Sequence, residues 1–320
     1  MLKQVQHDEL YGLIFMTSES SFIALMRSIA SDPGARGLLD DTAVIQLGAE
    51  TLILTHDMMA EGVHWLPMAA PEDVAWKLVS VNLSDLAAKG ARPLGVLLGF
   101  MLGDDAWDRR FAEGLRAVLA HYGVPLLGGD TVANRGDKRA LGLTAVGAAT
   151  CDPVPSRSGA RAGDALYITG TLGDALAGFE FAEAGLGGPE ELLAAYHRPI
   201  ARLADGQAIA PLAHAMMDVS DGLLIDADRM ASASKLALTI DLAAVPLSPT
   251  YRATRGDSID SRMQAASWGD DYQLLFTAPP TAILPVPATM VGRFSEGAGL
   301  SLFDAGMPVP RPASLGYEHR

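Results

Sequence analysis

The chain has 320 residues, 24 Lys plus Arg against 38 Asp plus Glu, a formal net charge of −14, and 49% hydrophobic but only 19% charged residues. This composition supports a sizeable core, in one large α/β domain or two ordinary ones, and excludes a disordered chain. The acidic balance argues against nucleic acid or an anionic membrane surface as main partner. The single cysteine, Cys151, excludes an intramolecular disulfide and a multi-cysteine zinc site and suits a reducing cytoplasm.

Residues 1–15 mix Lys3, His7, Asp8 and Glu9 with apolar residues and lack the layout of a secretory signal. They read as a tag or other non-native extension ahead of Met16. Thr51–Thr55 predicts a buried strand ending at Asp57. Pro71 to Lys89 predicts a helix with Val74, Leu78 and Val81 on its apolar stripe and Gly90 as its stop. Leu94–Met101 reads as a strand, too short to cross a bilayer even when extended to Leu102. Trp107–Tyr122 reads as a helix closed by Gly123, and Ala140–Ala148 as a further strand.

The Pro-, Gly- and Ser-rich stretch from Cys151 to Asp164 is the expected domain boundary. Beyond it, strands are expected at Ala165–Thr169, Met216–Val219, Leu238–Leu242 and Tyr272–Thr277. Helices are expected at Asp174–Ala184, Pro189–Tyr196, Ala201–His214 and Asp221–Ser234. The tail from Pro279 reads as short strands. The expectation is a mixed α/β fold in two halves, 16–150 and 151–320.

Of the 38 acidic residues, 26 are Asp. Most suit turns and helix caps. Asp40-Asp41, Asp57, Asp130, Asp218 and Asp221, however, all fall at expected strand ends or in Gly-rich turns, with Asp85 inside the first long helix. Strand ends are where α/β sheets bind ligands, and clustered carboxylates call for cations such as Mg²⁺. The phosphate-loop, dinucleotide-binding, zinc-protease and nucleophile-elbow motifs are absent. Lys89, four residues after Asp85, is placed to form an i,i+4 ion pair with it.

The strings around these residues form an ordered set: Asp40-Asp41-Thr42-Ala43-Val44; Thr55-His56-Asp57 with Glu61-Gly62-Val63-His64; Val81-Asn82-Leu83-Ser84-Asp85; and Gly128-Gly129-Asp130-Thr131. It continues with Arg157-Ser158-Gly159, Thr169 to Asp174, Asp218-Val219-Ser220-Asp221-Gly222, Gly269-Asp270-Asp271-Tyr272 and Gly316-Tyr317-Glu318-His319. The set resembles the thiamine-monophosphate kinase family of the aminoimidazole ribonucleotide synthetase-like superfamily, collinearly from about Ser20 to the C-terminus. The resemblance implies an N-terminal α/β domain that binds ATP and Mg²⁺ and pairs through its sheet into a homodimer. A C-terminal α/β domain would complete the nucleotide and substrate sites.

The implied activity is transfer of the ATP γ-phosphoryl group to thiamine monophosphate. The implied metal ligands are Asp41, Thr55, His56, Asp57, Asp85, Asp130, Asp218 and Asp221. ATP would meet Tyr122, Gly129, Asp130, Arg157 and Ser220, and the thiamine moiety His64, Asp270 and Tyr317. Five positions depart from the family pattern: His56 replaces a Thr or Ser, Asp270 and Gln273 each replace a Glu, and Leu39 and Trp268 each replace a Gly. Basic side chains are sparse in these strings, so metal ions are expected to supply most of the positive charge. Two other readings stand beside this one: a sibling enzyme using ATP on another acceptor, and a nucleotide-binding protein with weakened catalysis.

Overall fold

The structure, a computed structural model, describes residues 19–318. The extension 1–15, Met16 and His319 of the terminal string lie outside the described residues. After helix α1 (Glu19–Arg27) and a 3-10 turn at Pro33–Leu38, the chain forms β1 (Ala43–Leu47) and β2 (Glu50–Ala60). It continues through α2 (Pro71–Ala87), β3 (Arg92–Leu102), α3 (Asp105–Tyr122), β4 (Leu126–Ala133) and β5 (Ala140–Ala148). These strands make a five-stranded sheet in the order β1-β2-β5-β3-β4, antiparallel except for the parallel β3–β4 pair.

The second half contains β6 (Ala165–Thr169), α4 (Asp174–Glu183), α5 (Glu190–His197), α6 (Leu203–Ile209), β7 (Ala215–Asp218) and α7 (Leu223–Ser234). It ends with β8 (Ala237–Asp241), α8 (Pro249–Arg255), α9 (Ile259–Ser267), β9 (Leu274–Ala278), β10 (Ala288–Ser295), β11 (Gly299–Asp304) and β12 (Met307–Val309). Its seven strands run in the order β12-β11-β8-β10-β6-β9-β7.

The two halves share α2. Pro at its first turn with Glu72 and Asp73 beside it starts the helix favourably. The sequence pattern implied one apolar stripe, yet every residue from Lys77 to Ala87 is buried. Val74, Leu78 and Leu83 pack in the first core with Ile53 and Leu143, while Ala87 and Ala88 pack in a second apolar cluster with Met216 and Phe276. A helix covered on all sides reads as interior. Its polar residues, Lys77, Asn82, Ser84 and Asp85, therefore face protein rather than water, and they mark the site.

Several boundaries differ from expectation for local reasons. Asp57 sits inside β2, not at its end, because pairing with β5 continues to Ala60. Gly129 and Asp130 lie in β4 rather than in a turn, hydrogen-bonded to β3. A Cβ on Gly129 would lie 2.0 Å from the Leu98 carbonyl oxygen, so close strand approach requires glycine there. The strand expected from Tyr272 begins at Leu274, because Asp270 and Tyr272 hold positive φ angles of 67° and 48°.

Candidate active site

Strand alternation sends Thr55 and Asp57 to the face of β2 that meets α2, and His56 to the other face. The His56 side chain is exposed, its Nδ1 2.8 Å from Thr144 Oγ1 on β5. The Thr55 hydroxyl donates to the Asp85 carboxylate, and the Asp57 N–H donates to Asn82 Oδ1 at 2.9 Å. From the other half, Asp218 at the end of β7 accepts from Ser84 Oγ at 2.5 Å. Carboxylates from β2, α2, β7 and the turn before β1 thus converge.

They divide into two groups by charge. Asp40 and Asp41 are compensated. Lys89 Nζ, with no side-chain exposure, lies 2.7 Å from each, Arg36 reaches Asp40, and Arg157 donates to Asp41. Burial alone would raise the Asp41 pKa, but Lys89 and Arg157 outweigh it and hold the carboxyl below the usual range.

Among the described residues Asp57, Asp85 and Asp218 have no such cationic partner. Burial, then the Asp41 and Asp221 carboxylates, pushes Asp57 up to about 6. Burial, with Asp41 next, pushes Asp218 up to about 8. Asp85 is raised well above the carboxylate range by burial and then by Asp57, Asp218 and Asp41. Carboxylates that repel one another without a cation form a hard oxygen-donor set, the chemistry that suits Mg²⁺. They are not closed around an ion. Among the described residues no group of three or more His, Cys, Asp or Glu could hold a metal as it stands. Asp85 and Asp218 instead accept from Thr55 and Ser84, Asp41 pairs with Lys89 and Arg157, and Asp221 pairs with Arg229.

Other expected site residues fall in three places. Ser220 and Asp221 join the cluster. Their N–H groups donate to Asp226 Oδ2 at 3.2 and 3.1 Å, and the Tyr317 N–H donates to the Asp221 carbonyl at 3.0 Å. Asp270 is tied to the same turn, its N–H 2.8 Å from the Ser220 carbonyl, and connects through Lys77 to His64. Tyr122 pins residues 199–201, accepting from the Ala201 N–H at 2.9 Å and pairing with Ser80 Oγ at 3.1 Å. Gly129 and Asp130 are exposed along β4, where Asp130 accepts from the Thr131 N–H, and they do not join the cluster within one chain.

Sequence reasoning passed over Arg36, Asp226 and Arg229, left Asp40 out of the ligand set, and gave Lys89 only a pair with Asp85. The expected Asp85–Lys89 pair is not formed, because α2 ends at Ala87 and the following turn swings Lys89 toward Asp40 and Asp41. A lysine set among small and apolar residues before Gly90 was the available signal for burial. Asp226, fully buried in the first turn of α7 and paired with Arg229 at 2.9 Å, carried the mark of a helix-start acid. Positive charge at the cluster is therefore less sparse than the motifs implied.

Two sheets joined by a buried helix, with carboxylates converging from both halves, define a two-domain fold of the AIR synthase related class. The family described as AIR synthase related protein, N-terminal domain, matches residues 39–149, and its C-terminal domain matches residues 161–304. The chain belongs, within that class, to the thiamine-monophosphate kinase family. It is 37% identical over 306 residues to the thiamine-monophosphate kinase of Caulobacter vibrioides, covering 90% of this chain and 86% of that one. It is also 37% identical over 302 residues to that of Salmonella typhimurium, covering 88% and 91%. Among solved structures it is similar to AaThiL complexed with AMPPCP and TMP. The TM-score is 0.83 and the identity 32%, over 95% of this chain and 97% of that one. Thiamine monophosphate kinase from Aquifex aeolicus gives 0.77 and 31%, over 90% and 97%.

Proposed function

We propose that this chain transfers the γ-phosphoryl group of ATP to thiamine monophosphate, giving thiamine diphosphate and ADP. The observation that carries the reading is the uncompensated trio Asp57, Asp85 and Asp218, set beside the cationic pair Lys89 and Arg157 at the junction of the halves. It is supported by the kinase relatives and by a solved relative that holds AMPPCP and TMP.

An acceptor phosphate oxygen forms the new P–O bond as the bond from the γ-phosphorus to the β-bridging oxygen breaks. Because the acceptor's second pKa is near 6, it is mostly a dianion at neutral pH and needs no strong general base. What remains is positioning and charge neutralisation. Mg²⁺ held by Asp57, Asp85, Asp218 and Asp221 would supply that neutralisation when bound. Arg157 is poised to exchange Asp41 for a phosphate. Transfer is direct, so stereochemical analysis at the transferred phosphorus should give inversion, and retention would require a phosphoenzyme.

The N-terminal half, 16–150, is proposed to carry the nucleotide, the metals and the dimer contact, and the C-terminal half, 151–320, to complete both sites. A second copy would pair along β4, whose Leu126, Leu127 and Val132 are 48%, 57% and 52% exposed beside Gly129 and Asp130. Among the described residues no helix is long and apolar enough to cross a membrane, and the proposed location is the cytoplasm.

A coupled assay for ADP with thiamine monophosphate and Mg²⁺ tests the reading. Release that needs both substrates is expected. Turnover only with another acceptor would make the chain a sibling enzyme, and tight ATP binding without turnover would make it a nucleotide-binding protein.

A further inference from the structure

Lys77 lies on α2, which packs against elements of both halves, and its side chain is 4% exposed. An ammonium this far from water costs several kcal/mol unless it is paired and hydrogen-bonded. Each direction around Nζ is used. It donates to Asp270 Oδ2 at 2.6 Å, donates to the His64 carbonyl at 3.2 Å, and stands 4.3 Å from the centre of the Tyr196 ring. Three interactions use the three N–H bonds of a lysine, and none remains for a phosphate. Lys77 thus holds other groups and does not itself grip the nucleotide.

The groups it holds come from opposite halves. His64 follows β2 and lines a small pocket with Lys77, Asp73 and Tyr196. Asp270 lines a separate cavity of about 290 Å³ with Asp174, Glu191 and Arg198. Lys77 lines the first and Asp270 the second, so their ion pair joins the two linings. Asp270 is also gripped at its other oxygen, Oδ1 accepting from the Tyr272 hydroxyl at 3.0 Å. Both residues hold left-handed backbone angles, φ 67° and 48°, which cost non-glycine residues energy and persist only when their surroundings fix them. Backbone bonds to Ser220 and Val219, each 2.8 Å, do the fixing. A Cβ on Gly269 would lie 2.1 Å from the Ser220 carbonyl, so the approach is as close as glycine permits.

We infer that Lys77 is a positioning residue for the acceptor site: its ammonium sets the direction of the Asp270 carboxylate and its distance from His64. The inference rests on the proposed function and on His64 and Asp270 as acceptor residues. An aspartate has one methylene fewer than a glutamate, so its few torsions give little room to compensate for a lost anchor. With one oxygen on Lys77 and the other on Tyr272, the carboxylate keeps lone pairs for the cavity. There it suits an amino-bearing or cationic heteroaromatic ring. If Lys77 only stapled the two halves, its loss would lower stability and disturb both substrates alike.

Steady-state kinetics of the full chain separates these roles. Lys77→Met should raise KM for thiamine monophosphate at least about tenfold, leave KM for ATP within about twofold, and change kcat little. Tyr272→Phe, which leaves Lys77 in place and frees the other oxygen, should raise the same KM about threefold. A folded Lys77→Met protein with unchanged acceptor KM, or with both KM values moved together, overturns the inference. If Lys77→Met fails to fold, Tyr272→Phe decides in the same way. Wild-type protein without turnover on thiamine monophosphate would overturn the proposed function, and this inference with it. Normal wild-type turnover with insensitive variants would overturn this inference alone.

Discussion

The Lys89 ammonium lies 2.7 Å from an Asp41 carboxylate oxygen, with the lysine side chain wholly buried and that of Asp41 8% exposed. The contact joins the end of α2 to the turn ahead of β1. Lys89 also donates to the Met216 carbonyl on β7 at 3.2 Å, so one ammonium ties three elements from both halves. It further divides the carboxylates into a side the protein neutralises itself and a side it leaves charged.

Removing that ammonium tests the division. Lys89→Met leaves Asp40 with Arg36 and Asp41 with Arg157, yet strips a buried charge from a network. Metal-free protein should lose about 3 kcal/mol in urea denaturation, in the range for a broken buried pair. Added Mg²⁺ should recover part of the loss by binding the freed carboxylate oxygens. A loss below about 1 kcal/mol would mean the pair contributes no more than a surface contact.

The uncompensated side predicts an unusual pH dependence. In the folded chain Asp218 holds its proton to about 8 and Asp57 to about 6, against an ordinary 3.8. Between those limits the folded state binds more protons than the unfolded one, so stability falls as pH rises. Metal-free protein should melt at a higher temperature at pH 5.5 than at pH 8. Mg²⁺ competes with those protons, so its stabilisation should grow across the same interval. A metal-free melting temperature that rises from pH 5.5 to 8 would show these carboxylates to be compensated after all.

The turn that carries Asp270 is equally exposed to test. Gly269→Ala would place a Cβ 2.1 Å from the Ser220 carbonyl, where only backbone can give way. The cost should be about 1–3 kcal/mol, with loss of activity through both Ser220 and Asp270. Calorimetry showing an unchanged melting temperature would mean that the two segments can separate freely.

Sequence patterns disclosed most of the strands and helices, because alternation and helix caps are local. They also singled out Asp57, Asp85, Asp218 and Asp221, which the fold brings near one another, because these residues sit in distinctive strings. Pairing was not legible. Helical spacing matches Lys89 to Asp85, and only the end of α2 at Ala87 sends it to Asp41. The Lys77–Asp270 contact spans 193 positions, and no periodicity encodes a contact of that range. Asp130 looked like a turn residue because Gly128 and Gly129 precede it, whereas β3 holds all three in a strand.

That placement of Asp130 yields the sharpest test of assembly. Asp57→Asn and Asp130→Asn should each lower the rate about a hundredfold or more, as loss of charge stabilisation does. Their stabilities should differ. Asp57→Asn relieves repulsion within the buried trio and should raise the metal-free melting temperature, whereas Asp130 is exposed and its substitution should leave that temperature unchanged. If a second copy pairs along β4, Asp130 of one protomer serves a site whose Asp57 belongs to the other. Mixing the two inactive variants after partial unfolding and refolding should then regenerate about a quarter of wild-type activity. The basis is that statistically mixed dimers make up half the population, with one intact site each. No recovery, in a mixture shown by native mass spectrometry to contain the mixed dimer, would place Asp57 and Asp130 in the same protomer's site or remove Asp130 from the site altogether.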